Sequence, residues 1–343
     1  MYPNSRAELV RRVAAGTAPD TELLGQNHLG GLGVEATIHE PSIRPRGGPL
    51  GRRVLWNLRE LAIPFEVGRA TDVVVTPLAA FLPLAARLRA RPRVVVVNYG
   101  LCTTWERSSA IRRRILGTSV RSAAAVVCLG SWQRDLLVRQ TGLAPERALE
   151  IRLGVDERFF APAPAPRQKE PLVLAVGKDL ARDFSTFADA LRPLGLPAVV
   201  ATLPRNLERV RLPHRVEARF VDPVELRRLY REAACVVVPQ RSQSYRYGSE
   251  GGGLTALLEA MACARPLVVT DRPMIREYVE HERTALFVPA EEPDRLSEAI
   301  TRVVEDRELG AALGAAARRR VEAGLTTRHF AAALATVVRG PDS

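Results

Sequence analysis

Short apolar runs, most of them rich in valine, recur along this chain and constrain its fold more than any other feature. They are "VEATI" (34–38), "DVVVTP" (72–77), "RVVVVNYG" (93–100), "AAAVVCLG" (123–130), "PLVLAVG" (171–177), "PAVVATL" (197–203), "CVVVP" (235–239) and "PLVVTD" (266–271). Runs of four or five apolar residues bounded by Gly, Pro or Asp, with helical spacing between them, match strands buried on both faces of a parallel sheet. The class predicted is α/β, doubly wound.

Between the first four runs and the last four lies "FFAPAPAPRQKEP" (159–171). Alternating Ala and Pro oppose helix and favour a stiff, extended connection. The expected organisation is a first doubly wound domain over 1–160, a hinge over 161–171, a second doubly wound domain over 172–325 and a C-terminal helix over 326–343 that could pack back on the first domain. Ligands of open parallel sheets bind at the carboxyl ends of strands, so two such domains are expected to face each other across a cleft.

The 343 residues suffice for two ordinary domains, and 46% apolar with 26% charged residues is globular composition. No apolar run is long enough to span a bilayer and "MYPNSRAELVRRVAAG" lacks a signal core, so a cytoplasmic protein is expected. The front is unusual for a doubly wound domain, since it runs straight into helix-like sequence. Either the first strand is short or absent, or the start is internal. Cys102, Cys128, Cys235 and Cys263 are too dispersed for a disulfide framework or a zinc site, and the last three read as small buried hydrophobes. The net charge of +12 admits attraction to anionic phosphates or a membrane surface, or simply an arginine-rich solvated exterior. No nucleic-acid partner is expected.

In the C-terminal half three segments should converge at strand ends. "AVGKDLARD" (175–183) offers a turn at Gly177 followed by Lys178 and Arg182, "CVVVPQ" leads into "RSQSYRYGSE", and "GGGLTALLEAMA" carries Glu259 in an otherwise apolar helix. Glycines 251 to 253 let an anion approach backbone N–H groups, and the helix that follows adds the positive end of its dipole. Thr255 is the expected N-cap. Lys178 and Arg182 would neutralise negative charge from the opposite wall, and Glu259 could accept hydrogen bonds from two vicinal hydroxyls. A phosphate donor attached to a ribose satisfies all of these groups.

"SEGGGLTALLEAMACARPLVVTD" resembles the signature of the nucleotide-sugar-dependent retaining glycosyltransferases of the GT-B fold, family 4 (glycosyl transferases group 1). "AAAVVCLGSWQRDLL", "LEIRLGVDERFFAP", "LAVGKDLARDFSTFADAL" and "VDPVELRRLYREAACVVVP" extend it over roughly residues 70 to 300. The resemblance implies two Rossmann-like domains, an acceptor-side one over 1–160 and a nucleotide-sugar-binding one over 172–325, and a UDP- or GDP-sugar as co-substrate, with no obligatory metal. It places Lys178 and Arg182 on the donor diphosphate and Glu259 on the nucleotide ribose. The backbone of Gly251, Gly252, Gly253, Leu254 and Thr255 would lie against the phosphates and sugar.

Two departures stand out. The family separates its two glutamates by seven residues, which from Glu259 lands on Gly251, whereas the carboxylate here is Glu250; a one-residue bulge would restore its place near the donor sugar. Many members carry a histidine just after the strand that here reads "RVVVVNYG", where this chain has Asn98. The departing phosphate can itself take the acceptor proton, so Asn98 and Tyr99 become candidates for orienting sugar or acceptor.

Plainer readings compete at each position. Glu259 could be a core ion pair, and Lys178 and Arg182 ordinary surface cations. The five histidines share no ligand spacing. Trp56, Trp105 and Trp132 read as packing residues, Trp105 with a second reading as a lining of the acceptor pocket. The basic segments 39–53 and 98–114 would shape that pocket, which suits a small-molecule or glycan acceptor, including a lipid-linked one at an anionic membrane. The rival functions are a GT-B-like epimerase or phosphorylase and a non-catalytic nucleotide-sugar binder.

Overall fold

The structure, a computed structural model, describes residues 6–39, 60–67, 71–77, 79–162 and 170–340. The chain forms two compact units. One comprises Met1–Ala7, Gln26–Arg152 and Ala331–Ser343, the other Glu8–Gly25 and Leu153–Phe330. Most of the 39–53 segment and of the Ala/Pro segment, together with Trp56, lies outside the described residues.

The first unit holds a parallel sheet in the order β1 (Val73–Thr76), β2 (Arg93–Asn98), β3 (Ala125–Cys128), β4 (Ala148–Glu150). Val94, Val96, Val126 and Cys128 pack with Leu116 and Val120 from the helix Ala110–Ser122 and Leu137 from the helix Ser131–Thr141. The last helix, Thr327–Arg339, contributes its C-terminal part to this unit, where the Val338 carbonyl accepts from Arg93 Nη2 at 2.7 Å.

The second unit holds a six-stranded parallel sheet. Its order is β10 (Leu286–Val288), β9 (Leu267–Thr270), β8 (Ala233–Val238), β5 (Leu172–Val176), β6 (Ala198–Ala201), β7 (Val216–Arg219). Strand order reverses between β5 and β8, where Leu174 pairs with Val236 and Ala175 with Val237. Loops leaving the carboxyl ends of neighbouring strands diverge at such a switch point, and ligands of doubly wound sheets bind in the opening. Phe184, Phe187 and Leu191 cover one face of the sheet together with Leu296, Ile300 and Val303.

Seven of the eight apolar runs are strands. Residues 34–38 are not: they have no regular secondary structure and are partly or wholly exposed. Glu35 and Thr37 interrupt the three apolar residues, so the segment lacks the continuous apolar surface of a central strand. β4, β7 and β10 were not legible as strands. Each lies at a sheet edge, and Glu150, Glu217 and Arg219 break the apolar pattern in two of them.

Close backbone approach explains one sequence glycine. Val155 N–H donates to the Leu325 carbonyl at 2.9 Å and Thr327 N–H to the Val155 carbonyl at 3.0 Å, and a Cβ on Gly154 would stand 2.2 Å from Thr326 O. Asp156, two residues on, accepts from the Phe159 and Asp20 amides at 2.9 and 3.0 Å, which fastens the N-terminal segment to this unit.

Candidate active site

The loops after β5 and β8 are zipped together. Asp183 N–H donates to the Pro239 carbonyl at 3.1 Å, Arg241 N–H to the Ala181 carbonyl at 2.8 Å, and Arg182 and Gln240 form an isolated antiparallel bridge. Asp183 caps the helix Phe184–Leu191, accepting from Thr186 N–H at 3.2 Å and from the Ser185 and Thr186 hydroxyls at 2.8 and 2.6 Å. These bonds fix the backbone from which Arg182 projects.

The Arg182 side chain folds back over the end of β5. Gly177 has φ +150°, and a Cβ there would stand 1.8 Å from Arg182 Nε, so no other residue leaves the guanidinium its place. Arg182 is 7% exposed, yet among the described residues its Nε and Nη1 have no hydrogen-bond partner. Burial pushes its pKa down to about 10, opposed by the charges of Asp179, Tyr230 and Glu259. It stays a cation at neutral pH. Buried N–H groups are ordinarily satisfied, and a charged orphan is the more costly kind, so this one implies an acceptor that comes and goes.

Lys178 stands apart from it. The residue is exposed, with Nζ 5.0 Å from the centre of the Phe220 ring. Its charge nonetheless reaches Glu259.

The glycine segment forms two consecutive turns, Gly252 N–H to the Ser249 carbonyl at 3.0 Å and Leu254 N–H to the Gly251 carbonyl at 3.4 Å. Gly253, at φ +99°, is the N-cap of the helix Leu254–Ala262, and a Cβ there would be 2.8 Å from Gln240 Oε1. Thr255 is therefore not the cap: it is the second helical residue, because glycine alone fits that positive φ under Gln240. Among the described residues no side chain caps this helix, which leaves first-turn N–H groups after Leu254's for water or a ligand. Gln240 Nε2 braces the turn by donating to the Gly252 carbonyl at 2.6 Å.

Glu259 lies on the buried side of the helix, 7% exposed. Its partner is Tyr230, fully buried in the last turn of the helix Pro223–Glu232, whose hydroxyl donates to Glu259 Oε2 at 2.8 Å. Burial pushes the Glu259 carboxyl up to about 7, against the Tyr230 hydrogen bond and the Lys178 and Arg182 charges. Glu22, in the short helical turn Asp20–Leu23, raises it further.

Glu250, the other motif carboxylate, is 2% exposed and lies close enough to Arg272 to stabilise that guanidinium's charge. Arg272 follows β9, is 4% exposed, and donates through Nε and Nη2 to Gln243 Oε1 at 2.9 and 2.7 Å. Sequence reasoning missed Tyr230, Asp179, Gln240, Gln243 and Arg272. Arg272 had a usable signal, since it stands just beyond "PLVVTD" at the carboxyl end of a buried strand.

Asn98, in the first unit, is 1% exposed and its side chain is already engaged. Oδ1 accepts from Leu101 N–H at 2.8 Å, Nδ2 contacts Cys102 Sγ at 3.6 Å, and Gln133 Nε2 donates to the Asn98 carbonyl at 3.1 Å. All four cysteine thiols are buried. Among the described residues no helix is long and apolar enough to cross a membrane.

The family model for glycosyl transferases group 1 matches residues 210–320, the segment that carries Tyr230, Glu250, the glycine turns, Glu259 and Arg272. Across 336 aligned residues the chain is 27% identical to the GDP-mannose-dependent alpha-(1-6)-phosphatidylinositol monomannoside mannosyltransferase of Mycobacterium tuberculosis, covering 89% of this chain and 84% of that one. The match over residues 210–320 and the full-length relative support a group 1 glycosyltransferase. The glycosyltransferase is also 26% identical to the D-inositol 3-phosphate glycosyltransferase of Jonesia denitrificans, over 62% of this chain and 56% of that protein.

Solved structures agree on the fold. Sucrose-phosphate synthase from Thermosynechococcus elongatus superposes with TM-score 0.71 at 21% identity, covering 92% of this chain and 91% of that one. HepE of Anabaena, in complex with UDP and glucose, gives 0.67 at 16% identity, covering 85% and 83%. The glycosyltransferase has the two-domain GT-B fold.

Proposed function

We propose that this enzyme moves a sugar from a nucleoside-diphosphate sugar, a UDP- or GDP-sugar, to the hydroxyl of a small-molecule or glycan acceptor, with retention of anomeric configuration. The observation that carries the reading is Arg182, a buried cation with two unpartnered N–H groups, beside an uncapped glycine-led helix that bears Glu259. Arg182 and Lys178 take the diphosphate, the turns from Gly251 to Gly253, the backbone of Leu254 and the N–H of Thr255 line it, and Glu259 accepts from the ribose hydroxyls. Glu250 takes the sugar end.

The bond between the anomeric carbon and the phosphate oxygen breaks while the acceptor oxygen bonds to the same face of that carbon. The acceptor proton passes to the departing phosphate. Negative charge grows on that phosphate in the transition state, and one fixed donor aimed at it contributes about 3 to 4 kcal/mol. The cations supply this without an obligatory metal ion. The mannosyltransferase relative, whose name specifies GDP-mannose and a phosphatidylinositol mannoside, supports a GDP-sugar and an acceptor presented at a membrane surface, with the arginine-rich exterior in peripheral contact. HepE, solved with UDP, supports the uridine alternative.

Calorimetric titration of UDP, GDP, ADP and TDP into the native chain and Glu259→Ala tests the reading. One nucleotide should be preferred by the native chain and the preference lost in the variant. Absence of binding by any of the four would overturn it.

A further inference from the structure

A second buried guanidinium stands beside Arg182 without an assigned role. Arg272 is 4% exposed, and among the described residues its Nη1 has no hydrogen-bond partner. Its other face is fixed, because Nε and Nη2 both donate to Gln243 Oε1. The orphaned N–H therefore has a set direction, unlike that of a flexible surface arginine.

The backbone ties this residue to the donor site. Gln240, bridged to Arg182, donates its N–H to Thr270 Oγ1 at 2.8 Å, two residues before Arg272. Arg182 and Arg272 thus project from the ends of β5 and β9, on either side of β8 and its glycine turns. Asp179 acts on both cations, and its own Oδ1 is held by Ala181 N–H at 2.8 Å. It offsets their mutual repulsion and leaves their orphaned N–H groups unfilled.

Strand order sets the two cations apart, Arg182 after β5 and Arg272 after β9. Burial lowers the pKa of both cations most; among the charges, Asp179, Arg272 and Glu259 act on Arg182, and Asp179 and Glu250 on Arg272. Arg272, just past the end of β9, is the buried cation on which the Glu250 carboxylate acts. With the ribose at Glu259 and the sugar at Glu250, the phosphate nearer Glu250 is the one that bears the sugar, since the other is bonded to the ribose. We propose that Arg272 is a further anion-binding residue of the donor site, donating from Nη1 to the sugar-side phosphate, the one that becomes the leaving group. This rests on the donor-site reading above. Two guanidiniums on one phosphate supply charge-assisted bonds where charge accumulates as the glycosidic bond breaks.

The test compares nucleoside diphosphates with monophosphates, which differ by this phosphate alone. GDP, GMP, UDP and UMP are titrated calorimetrically into the native chain, Arg272→Met and Arg272→Lys, with melting temperature as the folding control. Arg272→Met should weaken the preferred diphosphate about tenfold or more, the range of a lost charge-assisted bond, while the monophosphate changes less than about twofold. Arg272→Lys should recover part of the preference, and it carries the test alone if the methionine variant does not fold. An equal loss for both nucleotides, or unchanged affinity for both, overturns the inference and leaves the donor site standing. Failure of the native chain to bind either diphosphate overturns the donor-site reading and the inference with it.

Discussion

Tyr230 donates its hydroxyl to Glu259 Oε2 across 2.8 Å, and neither residue is more than 7% exposed. The carboxylate in the apolar helix is thus held by a side chain from the preceding helix. The hydrogen bond stabilises the charged form against burial, which by itself drives the carboxyl upward. Tyr230→Phe keeps the ring and removes the donor. The variant should lose roughly 1 to 3 kcal/mol of stability at pH 8, where the carboxylate is ionised, and less at pH 5, where it is protonated. Urea denaturation at the two pH values decides this, and an equal loss at both would contradict it.

The Glu259 carboxyl also sets a pH dependence whose sign is fixed. Its pKa is near 7 in the folded chain against an ordinary 4.5. The folded state therefore binds this proton more tightly than the unfolded state does. That contribution is fully present below pH 4.5 and is lost as pH rises through about 7. Glu259→Gln, which keeps an acceptor for Tyr230, removes the titration. Native stability relative to this variant should fall by roughly 3 kcal/mol between pH 4.5 and pH 8. Donor binding should run the opposite way in the native chain and tighten as the carboxylate ionises, a trend that calorimetry at pH 6 and pH 8 would show or exclude.

Gly177 and Arg182 form a steric pair, with the guanidinium occupying the volume of a Cβ. Gly177→Ala cannot keep both φ +150° and Arg182 in place. It should cost about 1 to 3 kcal/mol in backbone strain and weaken nucleotide binding as severely as Arg182→Met does. Native-like affinity in the alanine variant would show that Arg182 does not reach the nucleotide from this position.

The sheets were legible because their central strands are buried on both faces and so spell continuous valine-rich runs. Three of the edge strands were not, and in one of them, Val216–Arg219, a single residue is buried and Glu217 and Arg219 break the apolar run, whereas the edge strand Val73–Thr76 keeps three valines in a row. Lys178, Arg182, Glu250 and Glu259 could be named from a motif with fixed spacing. Tyr230 could not, since it becomes a neighbour of the motif only through the fold and in sequence resembles an ordinary helix residue, and Arg272 offered only its place beyond a buried strand. Thr255 misled for a related reason: a hydroxyl near a helix start satisfies the capping pattern, but Gly253 takes the cap at a φ that threonine does not adopt.

Asn98 brings the same lesson to a test of mechanism. Its amide accepts from Leu101 N–H and contacts Cys102, and its carbonyl accepts from Gln133, so the side chain anchors the turn that starts the helix Leu101–Glu106. A residue that only anchors this turn should affect stability, whereas one that orients sugar or acceptor should affect turnover. Asn98→Ala is expected to cost about 1 to 2 kcal/mol, the scale of a lost cap, with kcat per folded molecule kept within about twofold. Asn98→Asp, which retains the acceptor for Leu101 N–H, should recover most of that stability. A fall in kcat of a hundredfold or so in Asn98→Asp, at unchanged melting temperature, would instead place this side chain on the reacting groups.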